Sequence, residues 1–232
     1  MELKWARALF AATAACVAVG VIIEVVLGWQ NHMPVVAATG EGLQRFGGSS
    51  LGRSLNVFAF FTVQSNLIVG GTCLLLAVNP GRSSTVFGVF RLIGLVAITV
   101  TGIVFHVALG GLLELDTWGL VADRLLHLVV PVMAVVGWLA FGPRGLTSAR
   151  VVKLTVLFPL AYMIFTVIRG PLSSDWYPYP FADVKVLGYL KVIINGLWIG
   201  LLFVAVAAGA AWLDQRLPTA SRPSAKRSQE RP

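Results

Sequence analysis

Six stretches of this chain are each near the roughly 20 apolar residues that a helix needs to cross a bilayer. They run over 5–29, 54–78, 88–113, 119–141, 151–169 and 186–213. Only 12% of the 232 residues are charged and 57% are hydrophobic, where soluble domains carry about 25% charged residues. The expected fold class is all-α: an integral membrane protein built as a six-transmembrane-helix bundle over residues 1–213. The first segment is longer than the apolar core of about 7–15 residues in a signal peptide, and no cleavage site follows it. It therefore reads as a span. Gly, Pro, Ser and charged residues punctuate the stretches between segments, as in NPGRSST, ELDTW and GPRGLTS. The tail 214–232 is polar, basic and Pro-containing, a composition expected to be disordered.

The formal charge of +8 is explained without nucleic acid. With the N-terminus inside, Lys4, Arg7, Arg82, Arg91, Arg144, Arg150, Lys153 and the arginines and lysine of the tail all fall on the cytoplasmic side. Most of the acids, including Glu24, Glu41, Glu114, Asp116, Asp123, Asp175 and Asp183, fall on the other. That asymmetry predicts both termini in the cytoplasm. Cys16 and Cys73 lie in mid-span apolar runs and read as packing residues. Trp5, Trp29, Trp118 and Trp138 lie near segment ends and read as interfacial anchors.

Against this background two polar stretches stand out, FFTVQSN at 60–66 and DRLLH at 123–127. A polar group at membrane depth is costly unless it faces partners, so both mark the bundle interior. Counting inward at roughly 1.5 Å per residue, Thr62 lies about 12 Å from Ser54, and His127 lies about 12 Å from Gly119. His106, Glu24, Arg169 and Asn195 fall in the same outer half, and the inner half is nearly all Leu, Val, Ala and Ile. A polar cavity opening outward is the expectation.

Each candidate has a plain structural reading beside the chemical one. Thr62, Ser65 and Asn66 share a helix face. Thr62 could bond back to its own helix and Asn66 could tie two helices together, or Thr62 could act as a nucleophile if a base takes its proton. Asp123 and His127 stand one turn apart, as a carboxylate orienting an imidazole would; Asp123 could instead pair with Arg124 or Arg169. His106, His127, Asp123 and Glu24 offer zinc-type ligands, but no HExxH or clustered ligand motif is present, and neither a metal nor another cofactor is expected. Arg169 could hold a carboxylate or headgroup, or snorkel to the interface. The SSDWYPYPF segment suits the interface and could form a lid over the cavity.

FFTVQSN, HLVVP at 127–131, the FGPRG loop and the RG…WYPYPF segment resemble, in order and spacing, the androgen-induced/androgen-dependent family of integral membrane proteins, and more closely its bacterial relatives. The animal members are multipass hydrolases of fatty acid esters of hydroxy fatty acids that use a membrane-embedded threonine and a histidine. The resemblance implies Thr62 as nucleophile and His127 as base. Asp123 is a departure, since Asn is expected at that position in the animal proteins.

The expectation is a hydrolase of fatty-acyl lipid esters in a bacterial plasma membrane. His127 takes the Thr62 proton and Asp123 orients His127. Asn66 or Gln64 donates to the oxyanion, with His106, Arg169 and Asn195 as further substrate-binding candidates. A membrane lipid or lipid-like ester is the expected partner. The alternatives are a non-enzymatic membrane protein that binds or transports a lipid or small molecule, and a metal hydrolase using His106 and His127.

Overall fold

The computed structural model describes residues 2–32, 35–36, 49–111, 113–173 and 176–217. Among them, 6 helices are long and apolar enough to cross a membrane: Leu3–Gln30, Phe61–Val78, Thr85–Leu109, Thr117–Phe141, Ala149–Leu172 and Val184–Arg216. The chain is an all-α integral membrane protein. Large apolar side chains cover its periphery, among them Leu190, Leu197, Trp198, Leu160 and Ile22. In water such a surface would be untenable; against lipid tails it is the expected one.

In chain order the helices are α1 (Glu2–Gln30), α2 (Ser50–Asn56), α3 (Phe61–Val78), α4 (Thr85–Val104), α5 (Thr117–Arg124), α6 (Val130–Phe141), α7 (Ala149–Leu172) and α8 (Val184–Arg216). A π-helical turn, Phe105–Leu109, extends α4, and another, Leu125–Val129, joins α5 to α6 into one span. A two-residue antiparallel pairing sets Val35–Val36 against Leu113–Glu114. The expected tail begins later than residue 214, because α8 runs on to Arg216; residues 218–232 lie outside the described residues.

Helix α4 is the hub. It packs against α3 and α6 on one side and against α7 and α8 on the other, while α1 packs on α2, α3, α5 and α6. Two apolar cores result. One joins α1, α3 and the α5–α6 span through Phe10, Val17, Val69, Leu126 and Val130. The other joins α4, α7 and α8 through Leu92, Val96, Val100, Phe203 and Ala207. Trp138 is buried in this second core beneath the Arg144 guanidinium, 4.7 Å from its ring centroid, so it is a packing residue and not the interfacial anchor expected from its position.

The main departure from the sequence expectation concerns the second span. The run 54–78 is not one helix. It divides into α2, a 3-10 turn at Val57–Ala59 and an extended Phe60 (φ −73, ψ 133), and α3 begins only at Phe61. A break in the backbone near the membrane strands polar groups, and these must be satisfied by protein. Here side chains do so. Tyr162 donates to the Ala59 carbonyl at 3.0 Å and Gln64 to the Phe58 carbonyl at 3.0 Å. Arg169 donates to the Asn56 side chain. Helix α2 is itself pinned across the end of α1, where Arg53 Nε donates to the Gly28 carbonyl at 2.9 Å and Ser54 Oγ to the Val25 carbonyl at 3.0 Å. Gly28 belongs to the last turn of α1, whose carbonyls have no donor one turn on within the helix, and Val25 lies just before that turn.

Candidate active site

The break sets the geometry of Thr62. This residue sits in the first turn of α3, where backbone N–H groups have no carbonyl one turn back. Its N–H donates instead to the Tyr179 hydroxyl at 3.1 Å, and its Oγ1 stands 3.2 Å from the same hydroxyl. On its other side, Oγ1 lies 3.3 Å from His127 Nε2. Thr62 is therefore not bonded back to its own helix, unlike Ser65, whose hydroxyl donates to the Phe61 carbonyl at 2.6 Å. The side chain is buried, with 7% of its surface exposed.

Local sequence explains how His127 comes to face Thr62. His127 lies within the π-helical turn, whose register ends in Val130 N–H bonding the Leu125 carbonyl. Pro131 follows and has no N–H to continue the ladder. In a π register its missing donor orphans the Leu126 carbonyl. Asn66 fills the gap: its amide donates to the Leu126 carbonyl at 3.2 Å and to the Thr62 carbonyl at 2.9 Å. Asn66 thus ties the backbone of the proposed nucleophile to the turn that carries the proposed base. Phe105, from the other π-helical turn, stacks on the His127 ring with centroids 3.8 Å apart and planes 13° apart. Two π-helical turns at one level, both touching one imidazole, form the kind of local distortion found most often at functional sites.

Asp123 Oδ1 lies 3.0 Å from His127 Nδ1, and both side chains are largely buried. The N–H vector is not aligned for a full hydrogen bond, so the contact is close in distance but bent. With a proton on Nδ1, Nε2 is free to accept from the Thr62 hydroxyl. Tyr179 then completes a consistent chain. Its oxygen accepts the Thr62 N–H, its proton points to Thr62 Oγ1, and the Thr62 proton points to His127. Burial pushes the Tyr179 phenol above its ordinary value, so it stays a neutral donor.

Thr62 stands between two cavities. The larger, about 620 Å³, lies among α4, α7 and α8 and is walled by apolar side chains such as Val100, Val104, Leu160, Met163, Ile193 and Leu197. That volume is within the range of about 300–1,000 Å³ typical of ligand pockets. The smaller, about 80 Å³, is lined by Glu24, Asp123, His127, Phe60, Pro178 and Tyr179. Thr62, Phe105, Leu109 and Tyr179 line both. The WYPYPF stretch covers this end of the bundle: Trp176 packs edge-on to Phe60 at 5.8 Å, Tyr179 reaches Thr62, and Phe181 and Ala182 wall the large cavity.

Of the sequence candidates, the structure brings Thr62, His127, Asp123 and Glu24 together. It gives the others different work. Asn66 has both amide hydrogens on backbone carbonyls and cannot serve an oxyanion. Gln64 donates to the Phe58 carbonyl, outside both cavities. His106 is exposed, with Nδ1 on the Gly102 carbonyl of its own helix at 2.7 Å. Arg169 is held by Asn56, by Ser173 and by the Trp176 ring, 4.7 Å away. Asn195 donates to the Phe181 carbonyl at 2.9 Å and so anchors the covering segment. Among the described residues no three His, Cys, Asp or Glu side chains are grouped so that they could hold a metal ion; His106 is exposed, bonded to its own helix, and does not line the small cavity with His127, Asp123 and Glu24. The residue that sequence reasoning missed is Tyr179. The signal was a tyrosine between two prolines, YPYP, where fixed backbone would aim a hydroxyl; in an aromatic-rich segment it reads as an interfacial residue instead.

No protein-family model, curated protein or solved structure matches this chain.

Proposed function

We propose that the protein hydrolyses fatty-acyl lipid esters, with Thr62 as nucleophile and His127 as general base. The observation that carries this reading is the 3.3 Å approach of Thr62 Oγ1 to His127 Nε2 in a first-turn threonine free of its own helix. The motif resemblance supports it, and so does an apolar chamber beside the hydroxyl.

The acyl chain lies in the large cavity, with the ester carbonyl at Thr62. His127 Nε2 takes the Thr62 proton while Oγ1 attacks the carbonyl carbon. The carbonyl π electrons move onto oxygen, which displaces the resting contacts between Thr62 and Tyr179 and takes the Thr62 N–H and the Tyr179 O–H as donors at the N-terminal end of α3. Backbone N–H groups and a helix N-terminus favour developing negative charge there. Collapse breaks the bond to the alcohol oxygen, which takes the proton from His127. Water repeats the sequence on the acyl-threonine, releasing the fatty acid. Asp123 orients and stabilises the imidazolium. The distribution of Lys and Arg supports a site opening on the non-cytoplasmic side, with both termini inside.

The apolar chamber alone also suits a non-enzymatic lipid-binding protein, and one experiment separates the two. Purified wild-type protein turns over a long-chain acyl ester and is labelled by a fluorophosphonate probe; Thr62→Ala and His127→Ala lose both. Full turnover in both variants would falsify the mechanism, and absence of labelling and turnover across several probes and esters would leave binding as the function.

A further inference from the structure

An acyl-threonine is resolved by water, and that water must reach His127 Nε2. His127 lines the small cavity and not the large one. The large cavity is walled chiefly by apolar side chains, whereas Glu24, Thr62, Asp123 and His127 all stand on the wall of the small one. The small cavity measures about 80 Å³. A water takes up roughly 30 Å³ and, when buried, needs about two to four polar partners. The small cavity therefore has both the room and the groups to hold water beside the base.

The reaction as drawn above leaves one of those groups without a task. Thr62 and His127 face each other, and Asp123 Oδ1 stands at His127 Nδ1. Among the described residues, no hydrogen bond or ion pair holds the Glu24 carboxyl. A carboxyl in a membrane span is costly and faces a partner or a wet cavity. Helix α1 is shaped to bring it there. Gly20, Glu24 and Gly28 share one face of the helix. A Cβ at Gly20 would lie 2.7 Å from Leu126 Cδ2, in the turn that carries His127, and one at Gly28 would lie 3.3 Å from the Arg53 carbonyl oxygen. The two glycines let α1 close on its neighbours one turn to either side of Glu24, and the carboxyl between them reaches the cavity wall.

We propose that Glu24 positions the hydrolytic water, an inference that rests on the Thr62–His127 reading and concerns its second half. The Glu24 carboxyl accepts one hydrogen of a water in the small cavity; charged or uncharged, it offers an acceptor oxygen. The other hydrogen points to His127 Nε2. As the water oxygen bonds to the acyl carbon, that second proton moves to Nε2 and the carbonyl π electrons move onto oxygen. Collapse breaks the bond to Thr62 Oγ1, which takes the proton back from Nε2, and the fatty acid is released. No proton passes to or from Glu24.

The test follows p-nitrophenyl palmitate with purified full-length protein in neutral detergent micelles. Glu24→Leu removes the acceptor that holds the water and leaves Thr62 and His127 in place. It is expected to keep fluorophosphonate labelling, a reaction that expels fluoride and calls on no water. It should release a burst of about one equivalent of p-nitrophenol as acyl-Thr62 accumulates, seen as a palmitoyl adduct in the intact-protein mass spectrum and absent in Thr62→Ala. The steady rate after the burst should fall by about 10–100-fold, the scale of one hydrogen bond to a buried carboxyl. Glu24→Gln keeps an acceptor oxygen and should recover part of that loss. A steady rate for Glu24→Leu within about threefold of wild type, below the scale of one such bond, would overturn the proposal and leave the hydrolase reading intact. So would labelling, burst and steady rate falling together in both Glu24→Leu and Glu24→Met, which would mark Glu24 as structural. A wild-type protein with neither burst nor turnover would sink the hydrolase reading, and the role of Glu24 with it.

Discussion

Replacing Tyr179 by Phe removes one oxygen and little else. The ring is held independently of its hydroxyl. It stacks on Phe181 with centroids 5.0 Å apart and planes 5° apart, and meets Phe60 edge-on at 5.5 Å. The covering segment is also anchored by Asn195 at the Phe181 carbonyl, so the lid keeps its shape. What disappears is the partner of the Thr62 N–H at 3.1 Å and of Thr62 Oγ1 at 3.2 Å. In the resting protein this leaves a buried N–H unpaired, at a cost of about 1–3 kcal/mol. In the transition state it removes one of two donors to the oxyanion, which costs about 10²–10³-fold in kcat. The neutral carbonyl of the bound ester interacts with the hydroxyl only weakly, so KM is expected to change little. Steady-state hydrolysis of a long-chain acyl ester in micelles, with thermal unfolding of the same preparations, measures both effects. A Phe variant that unfolds earlier but keeps kcat within about threefold would show that the hydroxyl merely clamps the lid. The assignment of the α3 N-terminus as the oxyanion site would then be wrong.

Three other substitutions probe separate parts of the site. Asp123→Asn keeps the shape beside His127 Nδ1 but removes the charge that steadies the imidazolium; kcat is expected to fall by about 10²–10⁴-fold, the range of acid–base contributions, with substrate binding retained in a ligand-protection assay. Asn66→Ala cuts the tie between the Thr62 and Leu126 carbonyls. A helix–helix hydrogen bond in a membrane is worth about 0.6 kcal/mol on average, so a small drop in Tm should accompany a larger drop in kcat as the Thr62–His127 distance loosens. Gly200 lines the large cavity, and open space surrounds the position where its Cβ would lie. Gly200→Leu should fill the chamber and shift preference toward shorter acyl chains. The expected penalty is about fourfold in kcat/KM for each methylene expelled, from about 0.8 kcal/mol per buried CH₂, read from a series of acyl lengths.

The spans were readable because bilayer thickness imposes a length on apolar runs, and the one-turn spacing of Asp123 and His127 is a property of any helix. The match of Thr62 to His127 was also readable, but partly for the wrong reason. Counting from Ser54 assumed a continuous helix through Val57, Phe58, Ala59, Phe60 and Phe61, a run without Gly, Pro or charge to mark an end. The helix ends there because of groups far along the chain. Tyr162 takes up the Ala59 carbonyl, Arg169 holds Asn56, and Tyr179 receives the Thr62 N–H. A local window contains none of them. The same blindness misassigned Asn66 and Asn195. An amide in a span signals a partner, but the sequence does not say whether the partner is a ligand or an orphaned carbonyl.

That break also weighs the structural reading of Thr62 against the chemical one. A threonine inside a membrane helix ordinarily satisfies its hydroxyl on the carbonyl one turn back, as Thr13, Thr72 and Thr155 do here at 2.8, 2.9 and 2.9 Å. Such a hydroxyl is inert. Thr62 has lost that option, because its helix begins at Phe61 and Phe60 is extended. Its Oγ1 must look outward, and it finds an imidazole on one side and a phenol on the other. If the purpose were only to glue helices, an unbroken α3 with a back-bonded threonine would do it without orphaning any carbonyl. The broken helix supplies in one place a hydroxyl and an N–H that are both turned to side chains and not to their own helix, together with a positive helix end. A hydroxyl proposed as a nucleophile can use all three, and one that only glues helices uses none of them, so the break supports the chemical reading proposed for Thr62.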